Sequence, residues 1–214
     1  ANSDTFLYSH NPDEKLPIAS ITKIMTALVA LEKCSLEEFV KYKAEWTLIE
    51  GSSSGFRAGQ WVTVRQLLYA MMLASGNDAA TALACHAAGS IDEFSELMNK
   101  KAAELGMKNS CFKNPHGLDQ KGHYSTAADM ARLTAAAIKN RDFALISSTK
   151  EVKVGHRKFT NHNKLLWMYP DALGGKTGYT SSAGRTLVSS AQKKNMELIC
   201  VTLNDRNDWN DHIL

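Results

Sequence analysis

The segment from Pro17 to Leu31 constrains the fold more than any other part of the chain, because it is apolar around nearly its whole circumference. Its large apolar residues recur at the i, i+3, i+4, i+7 spacing of an α-helix. They are Ile21, Ile24, Met25, Leu28 and Leu31. A helix that begins at Pro17 is favoured, since proline fits the first helical turn. Such a helix has to be buried, so the rest of the chain is expected to fold around it.

Two polar residues, Ser20 and Lys23, interrupt the predicted central helix near its start. Their spacing places them on one helix face, beside backbone N–H groups that favour negative charge. A buried lysine has a lowered pKa and, when neutral, can take the proton of a serine nucleophile. The alternative is that Ser20 only caps the helix and Lys23 extends its ammonium group to solvent. The spacing alone leaves both readings open, because Ser-x-x-Lys also begins at Ser110, Ser147 and Ser190.

The composition excludes several classes of protein. Of the 214 residues, 44% are hydrophobic and 22% are charged, as is typical of a soluble globular protein. The formal net charge is only +3, and no lysine and arginine cluster is interleaved with aromatic residues, so we expect no nucleic-acid partner. The sequence contains no run of about 18 apolar residues and no export signal. We therefore expect no membrane contact by these residues themselves.

Cysteine and histidine show none of the close spacings that metal sites use. The four cysteines form no Cys-x-x-Cys pair, and the seven histidines form no His-Glu-x-x-His motif. The cysteines are Cys34, Cys85, Cys111 and Cys200. We therefore expect buried free thiols, no metal and no other cofactor.

Helix signals dominate the first two thirds of the chain, and strand signals dominate the remainder. After the central helix, helices are predicted from Thr63 into Ala74, from Asp78 to about Ala88, from Ser90 to near Gly106 and from Thr126 to about Lys139. Strands are predicted at Thr5–Tyr8, Glu151–Val154, Lys158–Thr160, Lys176–Thr180, Thr186–Ser190 and Leu198–Leu203. Helices grouped in sequence and antiparallel strands favour the α+β class.

Three short motifs follow one another in the order Ser-x-x-Lys, Ser-x-Asn and Lys-Thr-Gly. They begin at Ser20, Ser75 and Lys176. The first opens the predicted buried helix, the second lies between two predicted helices, and the third begins a predicted strand. This set resembles the active-site serine penicillin-binding proteins and serine β-lactamases. Within that superfamily, the segments 16–20, 75–80, 114–118 and 175–180 are most similar to the low-molecular-mass D-alanyl-D-alanine carboxypeptidases.

The resemblance implies a β-lactamase/transpeptidase-like fold, in which an antiparallel sheet is flanked by helices and joined to a mainly helical lobe. Residues 1–214 would form one catalytic domain, with the helical lobe at about 35–145 inserted in the α/β lobe. The C-terminal β-domain and membrane anchor that such proteins often have are absent from this sequence. An extracytoplasmic location at the bacterial cell envelope is implied as well.

The resemblance also assigns roles to the first two motifs and to Lys176. Ser20 would be the acylated nucleophile and Lys23 the base that activates it. Ser75 would relay a proton to the departing D-alanine amine, while Asn77 would hold Lys23 and the substrate amide. Lys176 would place a second positive charge near Lys23.

The third motif would bind the substrate. Thr177 would receive the terminal carboxylate together with the lysine of its motif, and the N–H groups of Ser20 and Tyr179 would form an oxyanion hole. Gly178 would be needed because a substrate strand lies against this edge. The implied activity removes the terminal D-alanine from peptidoglycan stem peptides, and β-lactams would acylate the same serine.

Three alternatives remain at the level of sequence: a β-lactamase, a transpeptidase, and a non-catalytic module that senses β-lactams or binds peptidoglycan. Class A β-lactamases deacylate with a glutamate that is followed four residues later by asparagine. The glutamates between the second and third motifs are Glu93, Glu96, Glu104 and Glu151, and none has asparagine at that spacing. This difference favours the carboxypeptidase over the β-lactamase.

Overall fold

The central helix is buried as predicted, but it begins later than predicted. The computed structural model describes residues 5–213. A 3₁₀ turn, Ala19–Thr22, precedes helix α1, Lys23–Lys33. Ala19 has a φ of +47°, a left-handed conformation that a regular helix cannot contain. The irregular turn therefore holds the residues before Lys23 out of the α-helix.

Most of the other helices pack around α1, which contacts α2, α3, α4, α5 and α6. Their bounds are α2 Val64–Leu73, α3 Asn77–Ala88, α4 Ile91–Glu104, α5 Ala127–Ala137 and α6 Arg141–Ser148. Two short helices follow, α7 Leu165–Met168 and α8 Asp208–Asp211, and a second 3₁₀ turn spans Ala44–Leu48. The α2 helix begins with the Thr63 cap that the sequence predicted, and Gln66 completes a capping box there.

Within residues 5–213, the strands form three separate antiparallel sheets. The first pairs β1 Phe39–Lys41 with β2 Trp61–Thr63, and the second pairs β3 Glu151–Val154 with β4 Arg157–Thr160. The third has the order β5–β6–β7, with bounds Ala172–Thr180, Gly184–Lys193 and Met196–Leu203. The 3₁₀ turn before α1 packs on β5 and β6. Together with the helices, these sheets confirm the α+β class.

Two aspects of the predicted secondary structure are wrong. Thr5–Tyr8 is irregular rather than a strand, and its Leu7 and Tyr8 side chains are exposed, because an extended segment is stable only within a sheet. The sequence also gave no prediction of α6 or of the short β1–β2 pair. Among residues 5–213, the helices are too short or too polar for any of them to cross a bilayer.

Candidate active site

Ser20 and Lys23 lie together at the start of the central helix, as their spacing predicts. Ser20 belongs to the 3₁₀ turn and Lys23 is the first residue of α1. The Lys23 Nζ atom lies 2.8 Å from the Ser20 Oγ atom. Lys23 is completely buried, so the alternative in which its ammonium group reaches solvent is wrong.

Two further oxygen atoms contact Lys23 Nζ. Both the Asn77 Oδ1 atom and the His116 carbonyl oxygen lie 2.7 Å from it. A charged lysine donates hydrogen bonds to all three oxygens, whereas a neutral lysine donates two and accepts one from the Ser20 hydroxyl. The same geometry therefore suits both the charged and the neutral form of Lys23. A lysine that takes a proton from Ser20 and later returns it has to be accommodated in both forms.

The pKa values of the two active-site lysines are both lowered. Burial, followed by the nearby positive charge of Lys176, lowers the pKa of Lys23 well below its usual range, and Asp78 opposes this shift. Burial also lowers the pKa of Lys176 to about 7. A bound carboxylate would favour the charged form of Lys176, so the expectation that this residue acts as a cation toward the substrate stays a prediction.

Lys176 joins the second and third motifs. Its Nζ atom donates to Ser75 Oγ at 3.1 Å and to the Thr177 carbonyl oxygen at 2.9 Å. Ser75 lies in the break between α2 and α3 and has a φ of +61°. The next residue, Gly76, has a φ of −56°, so the left-handed conformation in this break belongs to the serine and not to the glycine. Ser75 thus combines a strained backbone conformation with a side-chain hydrogen bond to Lys176.

Asn77 is fixed on both sides of its amide. Its Nδ2 atom donates to the Glu50 carbonyl oxygen at 2.8 Å, so Oδ1 faces Lys23. The next residue, Asp78, is buried and accepts hydrogen bonds from the backbone N–H of Ser54 at 2.8 Å and from its hydroxyl at 2.8 Å. The sequence reasoning missed Asp78 as a positioning residue. An aspartate in the first turn of a buried helix was the available signal.

His123 is a second positioning residue that the sequence did not reveal. Its Nδ1 atom accepts the Lys113 N–H at 3.0 Å, so Nε2 carries the proton and donates to Thr22 Oγ1 at 2.8 Å. Burial lowers the pKa of His123 to about 4, which keeps the ring neutral near pH 7. The neutral ring thus fixes the turn that contains Ser20.

The third motif lies on β5, at the edge of the three-stranded sheet. Thr177 is half-buried, and Tyr179 is 69% exposed. A Cβ atom on Gly178 would lie 2.4 Å from Thr186 Oγ1 and 2.8 Å from the backbone nitrogen of Ser20. We expected this glycine to make room for substrate, but contacts within the protein already require it. The Ser20 N–H group therefore lies beside the backbone of β5.

The competing Ser-x-x-Lys matches have other contacts. The Ser110 hydroxyl donates to Asp129 Oδ2 at 2.7 Å, and the Ser147 hydroxyl donates to the Ala144 carbonyl oxygen at 3.2 Å. These contacts explain both residues as structural hydroxyls. Of the four matches, the first is the one that the structure joins to the other two motifs.

Comparison with known sequences agrees with this geometry. A family profile described as "D-alanyl-D-alanine carboxypeptidase" matches residues 1–207. The D-alanyl-D-alanine carboxypeptidase DacF of Bacillus subtilis (strain 168) is 40% identical over 205 residues, which cover 91% of this chain and 53% of the relative. The D-alanyl-D-alanine carboxypeptidase DacB2 of Mycobacterium tuberculosis is 39% identical over 189 residues, covering 86% of this chain and 65% of that relative. The chain thus spans about half to two thirds of the length of these proteins.

Solved structures share the fold of this protein over nearly the whole chain. The penicillin-binding protein homologue Rv2911 from Mycobacterium tuberculosis has a TM-score of 0.91 at 36% identity and covers 94% of this chain and 79% of that one. A mutant of the Streptomyces K15 DD-transpeptidase has a TM-score of 0.90 at 32% identity, with coverage of 95% and 86%. These matches confirm the resemblance and the fold class that the motifs predicted. The chain belongs to the D-alanyl-D-alanine carboxypeptidase family.

Proposed function

We propose that this chain carries the catalytic site of a serine D-Ala-D-Ala carboxypeptidase, which removes the terminal D-alanine from peptidoglycan stem peptides. The observation that carries the proposal is the 2.8 Å contact between Ser20 Oγ and a completely buried Lys23 Nζ. A buried amine with a lowered pKa can act as a general base near neutral pH. Family members bind β-lactams, and we propose that Ser20 is the residue that they acylate.

The acylation step follows from these contacts. The Ser20 hydroxyl proton moves to Lys23 Nζ while Oγ attacks the carbonyl carbon of the penultimate D-alanine. The N–H groups of Ser20 and Tyr179 stabilise the oxyanion. The peptide C–N bond then breaks, and the proton that Lys23 accepted is relayed through the Ser75 hydroxyl to the departing amine. Water hydrolyses the resulting ester and regenerates the free serine.

Lys176 and Thr177 are proposed to bind the terminal carboxylate of the substrate. Carboxylate binding would hold Lys176 charged, and that positive charge is already one of the causes that lower the pKa of Lys23. Asn77, whose Oδ1 atom already contacts Lys23, is proposed to contact the substrate amide as well.

The fate of the acyl-enzyme distinguishes the alternatives. All four glutamates between the second and third motifs are exposed, and three of them contact other side chains: Glu93 contacts Ser90, Glu104 contacts Lys101 and Glu151 contacts Lys158. This arrangement favours slow hydrolysis of a penicilloyl ester over β-lactamase activity. The likeness to the Streptomyces K15 DD-transpeptidase supports transfer to an amine as a second activity.

We also propose that residues 1–214 form a single catalytic domain with the helical lobe at about 35–145 inserted in the α/β lobe. Members of this family act on peptidoglycan in the cell envelope. We therefore propose that the site works on the outer face of the cytoplasmic membrane, where stem peptides are exposed. The proposal of a single domain is supported by the packing of α1. This helix contacts α2 to α5 in the helical lobe and also α6, which extends beyond the end of that lobe.

Released D-alanine is the direct test. The chain is incubated with a peptide that ends in D-Ala-D-Ala and with a control peptide that ends in L-Ala-L-Ala, and free alanine is measured. Only the first peptide should be cleaved, and Ser20→Ala should lose several orders of magnitude in rate. The matched control is Ser147→Ala, which alters a competing Ser-x-x-Lys match and should retain activity. Fast penicillin hydrolysis without D-alanine release would instead establish a β-lactamase.

A further inference from the structure

Three potential metal ligands converge at the opposite end of the central helix from the candidate active site. Cys34 directly follows α1, Glu38 directly precedes β1, and His86 lies near the end of α3. The thiol sulfur, one carboxylate oxygen and one imidazole nitrogen all lie within 4.8 Å of one another. The sequence did not predict this cluster, because His86 is far from the other two residues along the chain.

Two of the three ligand atoms already lie close to the separation that a bound zinc ion requires, and all three lie within 4.8 Å of one another. Zinc bonds of about 2.0 to 2.3 Å in a tetrahedral arrangement place neighbouring ligand atoms roughly 3.4 to 3.6 Å apart. His86 Nε2 now lies 2.9 Å from Glu38 Oε2, so these atoms need to separate by only about half an ångström. The Ser35 N–H donates to Glu38 Oε1, which already fixes the carboxylate.

We propose that Cys34, Glu38 and His86 bind one zinc ion, with water as the fourth ligand. Binding replaces the proton of the Cys34 thiol, which is released to solvent, and a thiolate–zinc bond forms. The thiolate and the ionised carboxylate together neutralise the two positive charges of the metal. The Nε2 proton that His86 donates to Glu38 is replaced by zinc while Nδ1 carries the ring proton, so the imidazole binds as a neutral ligand. No electron transfer is involved, so the step balances with zinc and a proton alone.

The cluster also has the ligand character that zinc prefers. A thiolate, an imidazole and a carboxylate form a mixed set that suits zinc better than calcium or magnesium, which bind oxygen. The half-buried position of Cys34 leaves room for an ion to enter from solvent.

The proposed metal would connect three elements without taking part in the peptidase reaction. Lys23 begins α1 and Asn77 begins α3, whereas the cluster lies at the other ends of these helices. At 1.5 Å per residue, the cluster is about 16 Å along α1 from Lys23. Zinc should therefore raise the unfolding temperature and leave the rate of β-lactam acylation unchanged. This inference is independent of the proposed peptidase activity.

Cobalt provides the decisive spectroscopic test. The 214-residue chain, free of any histidine tag, is titrated with Co²⁺, and a thiolate-to-cobalt charge-transfer band is expected at a stoichiometry of one. The band should be absent in Cys34→Ser and present in the control Cys200→Ser, which removes another half-buried thiol. Zinc should displace the cobalt and abolish the band.

Equilibrium dialysis with zinc tests the other two ligands. Glu38→Gln and His86→Gln should each weaken zinc binding by at least about tenfold. A loss of this size follows even from mutation of a residue that only hydrogen-bonds to a metal ligand. The control is His156→Gln, which alters an exposed histidine on the β3–β4 turn. Acylation by penicillin verifies that each variant is folded. Absence of the cobalt band in the unmodified chain, or its persistence in Cys34→Ser, would overturn the proposal.

Discussion

Gly178→Ala should damage the candidate active site more than it damages the fold. The added Cβ atom would lie 2.8 Å from the backbone nitrogen of Ser20 and 3.1 Å from the Ala19 Cβ atom, whereas ordinary contact begins at 3.4 Å. It would also lie 2.4 Å from Thr186 Oγ1, which donates to the Ile18 carbonyl oxygen at 3.2 Å. The turn that contains Ser20 must therefore retreat from β5 by roughly 0.6 Å to restore ordinary contact.

This displacement sets the expected losses of unfolding free energy and of acylation rate. Overpacking of a dense interior costs about 1 to 3 kcal/mol of unfolding free energy, which most folded proteins tolerate. A misplacement of about 1 Å at a reacting atom can cost about 100-fold in rate, so the smaller shift here should cost roughly 10- to 100-fold. The proposed oxyanion donor, the Ser20 N–H, moves together with the nucleophile.

The assay is stopped-flow acylation by a chromogenic or fluorescent penicillin, with urea unfolding measured in parallel. Thr186→Ala and the double variant Gly178→Ala/Thr186→Ala separate the steric clash with Thr186 Oγ1 from the steric clash with the Ser20 backbone. In the Thr186→Ala background, Gly178→Ala should cost less stability than it does in the unmodified chain, but it should cost as much in rate, because the contact with the Ser20 backbone remains. Acylation of Gly178→Ala within twofold of the unmodified rate would refute the reasoning, and so would full rescue of the rate in the double variant.

Three further predictions concern the reacting groups. The rate of acylation should rise with pH as Lys23 loses its proton. Lys23→Arg should abolish acylation because a guanidinium is not a base, whereas Lys176→Arg should retain part of the rate. Equal rates for the two arginine variants would contradict these roles. The folded pKa of Lys176, about 7, is below its ordinary 10.5, so the unfolded chain binds more protons and stability should rise by about 2 kcal/mol between pH 7 and 9. Urea unfolding of Lys176→Met should show a flatter pH dependence, and an unchanged slope would exclude this lysine as the cause. Intact-mass spectra after penicillin should show one adduct on Ser20 that lasts minutes or longer, a barrier of about 20 kcal/mol. An adduct at another serine, or one that vanishes within seconds, would contradict this.

Local patterns in the sequence predicted what local geometry determines. The three-residue spacing of Ser20 and Lys23 brings their side chains to one face in a 3₁₀ turn as well as in an α-helix, and Thr63 caps its helix through a residue three positions away. The motif order predicted the family because each motif had the local structure that its role requires. The fold class followed from the grouping of helix and strand signals.

Contacts between distant segments could not be predicted from the sequence in the same way. Lys23 contacts Asn77 across 54 positions and His116 across 93, and the latter contact uses a carbonyl oxygen that every residue type has. The pKa of Lys176 depends on its complete burial, which a single lysine in a strand pattern does not reveal. The His123 ring likewise contacts a residue 101 positions away. Residue type and spacing contain little information about such pairings.

The position of Ser20 is set by tertiary packing rather than by helix propensity. The preceding residue, Ala19, has a left-handed backbone, which costs of order 1 to 3 kcal/mol for a residue other than glycine. Two glycines confine it: a Cβ atom on Gly117 would lie 1.9 Å from the Ala19 carbonyl oxygen, and one on Gly178 would lie 3.1 Å from the Ala19 Cβ atom. Release of the turn from either contact would let it relax toward an ordinary helix and carry the proposed nucleophile away from β5. The two glycines therefore help to position Ser20 although neither has a side chain to react.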